Sequence, residues 1–136
     1  MTIKIFCLPR ADVDYIWDRV LPWLDAAYAE MDIPLPPTLH DDLLLGDKQL
    51  WVACDDADAK ILCAVLTRLA KMRSGLYCEV VACGGAEATR WIHGIATIEE
   101  WAKTEGCSRV TVQGRPGWAK LLPRYRRSQV ILELEI

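Results

Sequence analysis

Residues 60–72, KILCAVLTRLAKM, constrain the fold more than any other stretch of the chain. Over most of the run both alternate sets of positions are apolar, so a strand here is buried on both faces and belongs mid-sheet. QLWVAC precedes it across the polar tip DDADA, and LYCEVVAC follows it across RSG. Both neighbours have strand composition, and both connections suit hairpins. The middle of the chain therefore reads as an antiparallel meander flanked by helices.

The helical patterns lie on either side. TIKIFCL reads as a first strand ended by Pro9, and Asp12 is a suitable helix N-cap. From Val13 the apolar residues Ile16, Trp17, Val20, Leu24, Ala27, Tyr28 and Met31 keep helical spacing. Pro22 falls inside that pattern and predicts a kink, or a break with a second helix. DIPLPP is a rigid connector, and TLHDDLLLGD predicts a short helix from Thr38 to Gly46. A long helix is predicted from about Glu87 to Glu105, with Ala88, Trp91, Ile92, Ile95, Ile98 and Ala102 as its stripe and Gly106 closing it. SRVTVQ then reads as a strand, GWAKLLPRY as a short helix cut by Pro123, and SQVILELEI as a last strand. The predicted order is β-α-α-β-β-β-α-β-α-β, one α/β (α+β) domain over residues 1–136 with a mixed, mostly antiparallel sheet.

A net charge of −3 gives no global reason to expect nucleic acid, and no apolar run reaches membrane-spanning length. No signal-like segment opens the sequence, so a soluble intracellular protein is expected. Six cysteines, with no C-x-x-C pair, read as reduced, buried thiols rather than a metal or disulfide framework. Cys78 and Cys83, five apart in a strand, are expected on opposite faces.

The element order, and locally WAKTEGCSRVTVQGRPGW followed by LLPRYRRSQVILELEI, resemble the GNAT (Gcn5-related N-acetyltransferase) superfamily. The C-terminal half is similar to small, divergent GNAT-like proteins of bacteriophages and prophages. The resemblance implies a sheet that parts between its fourth and fifth strands to hold acetyl-CoA. It also implies a glycine-rich loop whose amides, at a helix N-terminus, take the pyrophosphate. The matching segment, ACGGAEATRW, supplies Cys83, Gly84, Gly85, Ala86, Glu87 and Ala88, and Arg115 is the nearby cation. It departs from the family in lacking the basic first position and the later glycine, and Glu87 puts a negative charge there.

Acyl transfer to an amine needs a base for the amine and an acid for the leaving thiolate. Glu79, on the fourth strand, is the candidate base, sharing a face with Tyr77 and Val81. Pro123 stands where the family's acidic tyrosine is expected, which leaves Tyr125 as a displaced substitute. His40 and His93 are expected on solvated or helix-flank positions.

Arg115, Lys120, Arg124, Arg126 and Arg127 give segment 113–128 five basic residues and no acidic one. Such a patch suits CoA phosphates or an acidic protein surface, and Lys120, Arg124, Arg126 and Arg127 are the candidate partner-binding residues. Nucleic acid is disfavoured, because no aromatic residues are interleaved on a strand face. Trp118 is read as a packing anchor. Two functions stand nearly level: an acetyl-CoA-dependent N-acetyltransferase acting on an amine acceptor, or a catalytically inactive virion or assembly protein that binds a phage or host protein partner. The compartment is the host cytoplasm or the virion accordingly.

Overall fold

The computed structural model describes residues 3–57, 59–86, 92–114 and 117–136. In chain order it forms β1 (Ile3–Cys7), a 3-10 turn (Arg10–Asp12), α1 (Val13–Glu30), α2 (Leu39–Leu45), β2 (Gln49–Asp55), β3 (Lys60–Met72) and β4 (Gly75–Gly85). A second 3-10 turn (Ile92–Gly94) then runs into α3 (Ile95–Thr104), followed by β5 (Arg109–Val112) and α4 (Gly117–Leu121). Residues 87–91, the expected start of the long helix, lie outside the described residues.

The five strands lie in one sheet in sequence order, β1-β2-β3-β4-β5. The first four are antiparallel neighbours, and β5 runs parallel to β4. Parallel pairing needs a crossover, which α3 supplies. β3 is the central strand, as its two apolar faces require. On one face Val20, Leu24 and Ala27 of α1 and Leu43 of α2 pack on Leu50, Val52, Ala64, Leu66 and Ala82. On the other, Ile95, Ile98 and Ala102 of α3 pack on Trp51, Val65, Cys78 and Val80. Leu24 and Val20 are fully buried, each contributing about 1.5–3 kcal/mol of transfer free energy.

Three expectations are corrected. First, the break that Pro22 could have made does not occur, and α1 passes through it as one helix. Pro22 lies on its exposed side, where water can serve the carbonyl that loses its N–H partner. Second, Cys78 and Cys83 share a face. The β3–β4 register steps from Leu66↔Ala82 to Thr67↔Val80, so β4 carries one extra residue, a bulge at Val81. That extra residue turns Cys83 back to the α3 side beside Cys78, and turns Ala82 to the α1 side away from Val80. Third, SQVILELEI forms no strand: residues 126–136 are unpaired and exposed.

Only Trp51 among the described indoles is fully buried, stacked edge-on against Trp101 at 5.3 Å. Its Nε1 donates to Thr67 Oγ1 (2.9 Å), which donates on to Gln49 Oε1 (2.9 Å), so the buried polar atoms are satisfied. The others rim the two cores. Burial pushes the thiols of Cys63 and Cys78 up to about 12, which keeps them protonated and hydrophobic in character.

Gly84 is where helix and sheet come closest. A Cβ there would stand 2.3 Å from the Trp23 carbonyl oxygen, a backbone atom that cannot move aside. Gly84→Ala is therefore expected to push α1 off the sheet and lower stability by about 1–3 kcal/mol, read by urea denaturation.

Candidate active site

β4 and β5 pair over four residues only, Tyr77↔Arg109 to Val80↔Val112. β4 continues to Gly85, while β5 ends and the chain turns away at Gly114. The strands part at Val81, so among the described residues the β5-side edge of β4 beyond that point has no strand partner. The notch this leaves is lined by Cys83 and Ala82 of β4, Ala27 and Glu30 of α1, Met31 just beyond it, and Gln113, Gly114 and Trp118. Its free space is only about 10 Å³. The Trp118 indole fills it: a Cβ on Gly114 would stand 2.7 Å from Trp118 Cδ1.

A larger cleft, about 590 Å³, opens at the outer edge of β5. Glu79, Arg109, Thr111, Glu99, Tyr125 and Arg126 all contribute to its walls. Pairing in register puts Tyr77, Glu79, Arg109 and Thr111 on one face of the sheet, with the Arg109 guanidinium 5.2 Å from the centre of the Tyr77 ring. Glu79 is 6% exposed, and its Oε2 accepts from Arg68 Nε at 2.8 Å across the β3–β4 ladder. It sits one residue before the last β4–β5 pair, Val80↔Val112.

The opposite wall is built on Glu99 of α3. Tyr125 Oη donates to Glu99 Oε2 at 2.5 Å, and Arg124 Nη2 donates to both carboxylate oxygens at 2.9 and 3.0 Å. Burial works against a charged Glu99, yet these hydrogen bonds and the neighbouring cations hold its carboxyl below the usual carboxylate range. Burial, and then the bond to Glu99, raise the Tyr125 phenol well above its ordinary value. The arrangement ties the chain after α4 to the crossover helix.

The structure thus brings Glu79 and Tyr125 to one cleft, from opposite walls. It places Cys83 in the notch. Gly84 packs on α1, and Gly85, at φ +138°, on Cys63 and Leu62, while the Ala86 amide donates to Leu62 O at 2.9 Å. The expected loop residues Glu87, Ala88 and Arg115 lie outside the described residues. The basic cluster disperses: Arg124 is pinned on Glu99, Arg126 faces the Glu79 cleft, Arg127 lies in a second groove with Trp118 and Val130, and Lys120 is exposed on α4. His40 bonds Asp14 at 2.6 Å and packs on Trp17, so it joins α2 to α1 rather than facing water alone. His93 is exposed. Among the described residues no cluster of three metal-ligating side chains occurs, and no helix is long and apolar enough to cross a membrane.

Sequence reasoning missed Arg68 and Glu99. Arg68 was available from the hairpin register, because a two-residue turn at Arg73-Ser74 sets Arg68 opposite Glu79. Glu99 sits four residues after Ile95 and three before Ala102, on the flank of the buried stripe, a position that brings a carboxylate to the core's rim.

The architecture, a mixed five-stranded sheet parting after a short parallel pair, has many counterparts among solved structures. An aminoglycoside acetyltransferase from an uncultured soil metagenomic sample superposes with a TM-score of 0.73 at 15% identity, over 100% of this chain and 98% of that one. A ribosomal-protein-alanine N-acetyltransferase from Brucella melitensis biovar Abortus 2308 does so at 0.69 and 15%, over 100% and 99%. A GNAT family acetyltransferase from Staphylococcus aureus gives 0.62 and 15%, over the full length of both chains. This chain has the GNAT acyltransferase fold. No protein-family profile and no curated protein sequence matches it. The GNAT fold is therefore carried here by a sequence that shares its architecture and little of its residue pattern.

The Glu99–Tyr125 bond sets a pH window for this wall. Glu99, lowered on folding, stabilises the fold above its unfolded value of 4.5, and that stability is lost as pH falls through the lower folded value. Tyr125, raised on folding, stabilises it below its unfolded value of 10.0, and that is lost as pH rises through the higher folded value. Melting temperature against pH is expected to fall at both ends, and Glu99→Gln/Tyr125→Phe to flatten both flanks relative to the parent.

Proposed function

We propose that this chain is an acetyl-CoA-dependent N-acetyltransferase that takes its amine acceptor in the Glu79 cleft. The observation that carries this reading is the placement of Glu79, a buried carboxylate on a cleft wall, one residue before the last β4–β5 pair. The unpartnered edge of β4 from Val81 to Gly85 offers main-chain donors and acceptors to an amide-bearing chain such as the arm of CoA. Cys83 and Gly114 would flank that arm, and Arg115 is the residue we assign to the phosphates. The main-chain groups along the notch suit the amide-bearing arm of CoA, which would have to displace the Trp118 indole to enter. Bound acetyl-CoA supplies an acyl group activated as a thioester.

The chain's own residues do the remaining work. Glu79 takes a proton from the acceptor amine, so that the nitrogen lone pair is free to attack. Arg68 holds one carboxylate oxygen and leaves the other for that proton. Tyr125 is already committed to Glu99, and in this reading it fixes the cleft wall rather than protonating the thiolate. Arg124 and Arg68 already neutralise Glu99 and Glu79, so Arg109 and Arg126 make the cleft a poor host for a polycationic amine. They suit an amine that carries a neutral or anionic group.

A second reading, a GNAT-fold binding protein without turnover, such as a phage assembly component, is favoured by one observation: the notch is filled by Trp118. Thermal shift separates the two. Acetyl-CoA is expected to raise the melting temperature, and Glu79→Gln to keep that shift while lowering turnover by about 10²–10⁴-fold on accepted amines. A melting temperature unmoved by saturating acetyl-CoA would overturn the first reading in favour of the second.

A further inference from the structure

A second opening lies on the other side of β3. The β2–β3 ladder ends at Gln49↔Thr67, while β3 runs on to Met72. The corner this leaves holds a cavity of about 460 Å³, within the size range of small-molecule sites. Leu69 of β3, Leu50 of β2, Leu8 beyond β1, Leu43 of α2 and Trp101 of α3 give it apolar walls. It shares no lining residue with the Glu79 cleft or with the notch.

Its polar groups are unevenly placed. Two donors meet at Gly46, the left-handed residue that ends α2 (φ +86°). The Arg10 guanidinium lies against it, where a Cβ would overlap, and among the described residues no carboxylate pairs with Arg10. Gln49 Nε2 donates to the Gly46 carbonyl at 3.4 Å and has a second N–H to give, while its Oε1 accepts from Thr67. A third donor stands one turn back along α2, where Lys48 Nζ donates to Asp42 Oδ2 at 2.7 Å and keeps two N–H groups. The Lys48 side chain is only 17% exposed. Glu105 is the one carboxylate of the lining, a turn beyond Trp101 at the end of α3. Desolvation pushes the Cys7 thiol up, so that wall is uncharged.

We propose that this cavity binds a small apolar molecule bearing a single carboxylate, held by Arg10, Gln49 and Lys48 with its apolar body on Leu69 and Trp101. A planar carboxylate matches the guanidinium fork and takes the N–H groups that this corner has left over. The apolar body covers two side chains that are half-buried without it. Glu105 sets the limit of one negative charge, because a second anionic group on the ligand would meet it. The three donors in turn reject a plain amine at the Gly46 end. The inference is independent of acetyl transfer, since Glu79 takes no part in it.

Titrating the isotope-labelled chain with phenylacetate, phenylacetamide and phenylmalonate tests the site. Phenylacetate is expected to shift the Trp101 indole, the Gln49 side-chain amide and the Leu8 and Arg10 amides saturably, and to raise the melting temperature. The neutral amide and the dianion are expected to bind about 10-fold more weakly or worse. Arg10→Met, an exposed position, is expected to keep the parent far-UV spectrum and to weaken phenylacetate by about 10-fold or more. Glu105→Gln is expected to keep phenylacetate binding and to admit phenylmalonate. Phenylacetate that leaves these resonances in place, or moves only those of the Glu79 cleft, overturns the proposal. So does phenylacetamide binding as tightly as phenylacetate, or Arg10→Met without loss, because the carboxylate would then have no partner here.

Discussion

Everything downstream of β4 depends on a short parallel pairing. β4 and β5 share four residue pairs, and among the described residues this is the only ladder joining β5 to the antiparallel meander. Four pairs suffice because both faces are clamped: α3 presses Ile95, Ile98 and Ala102 on one side, while Arg68 and Glu79 pair on the other. Because the pairing ends at Val80 and Val112, β4 has a length of unpartnered edge and the sheet has a notch. Because β5 is last, the sheet has an open outer edge. The notch, the cleft and the unfilled edge all follow from where that ladder starts and stops.

The bulge at Val81 lies where the strands part. One extra residue in β4 turns Ala82 from the α3 side to the α1 side and tips the rest of the strand toward α1. Gly84 then meets the Trp23 carbonyl, so glycines that in sequence suggested a phosphate cradle have a packing reason of their own. Trp118 limits the room that the notch offers. In the closed arrangement the indole occupies it.

Much of the fold was legible, because hydrophobic periodicity reports burial directly. The central strand at 60–72, the hairpin turns at both its ends and the short helix stopped at Gly46 all stand where the pattern put them. What escaped was what periodicity cannot encode. A bulge is one residue of register, so Cys78 and Cys83 came out on the wrong faces. Pro22 predicted a kink or a break, but an exposed proline in a helix held by Val20, Leu24 and Ala27 costs one solvated hydrogen bond and need not break it. The 130–136 pattern is strand-like, yet a pattern names a conformation and not the neighbour that would stabilise it. The candidate site was half visible. Glu79 could be chosen from strand position, whereas Glu99 joins Tyr125 only through a tertiary contact 26 residues away in sequence.

The central claim is that the parting of β4 and β5 makes a cofactor slot beside Glu79, with Trp118 as its movable occupant. Titrating the isotope-labelled protein with acetyl-CoA, followed by amide and indole resonances, tests it most directly. The account predicts shifts concentrated at Val81 to Gly85, at Gly114 and at the Trp118 indole, with β1 and β2 unmoved. Saturating acetyl-CoA that leaves those resonances in place, or moves only residues remote from the notch, would contradict it.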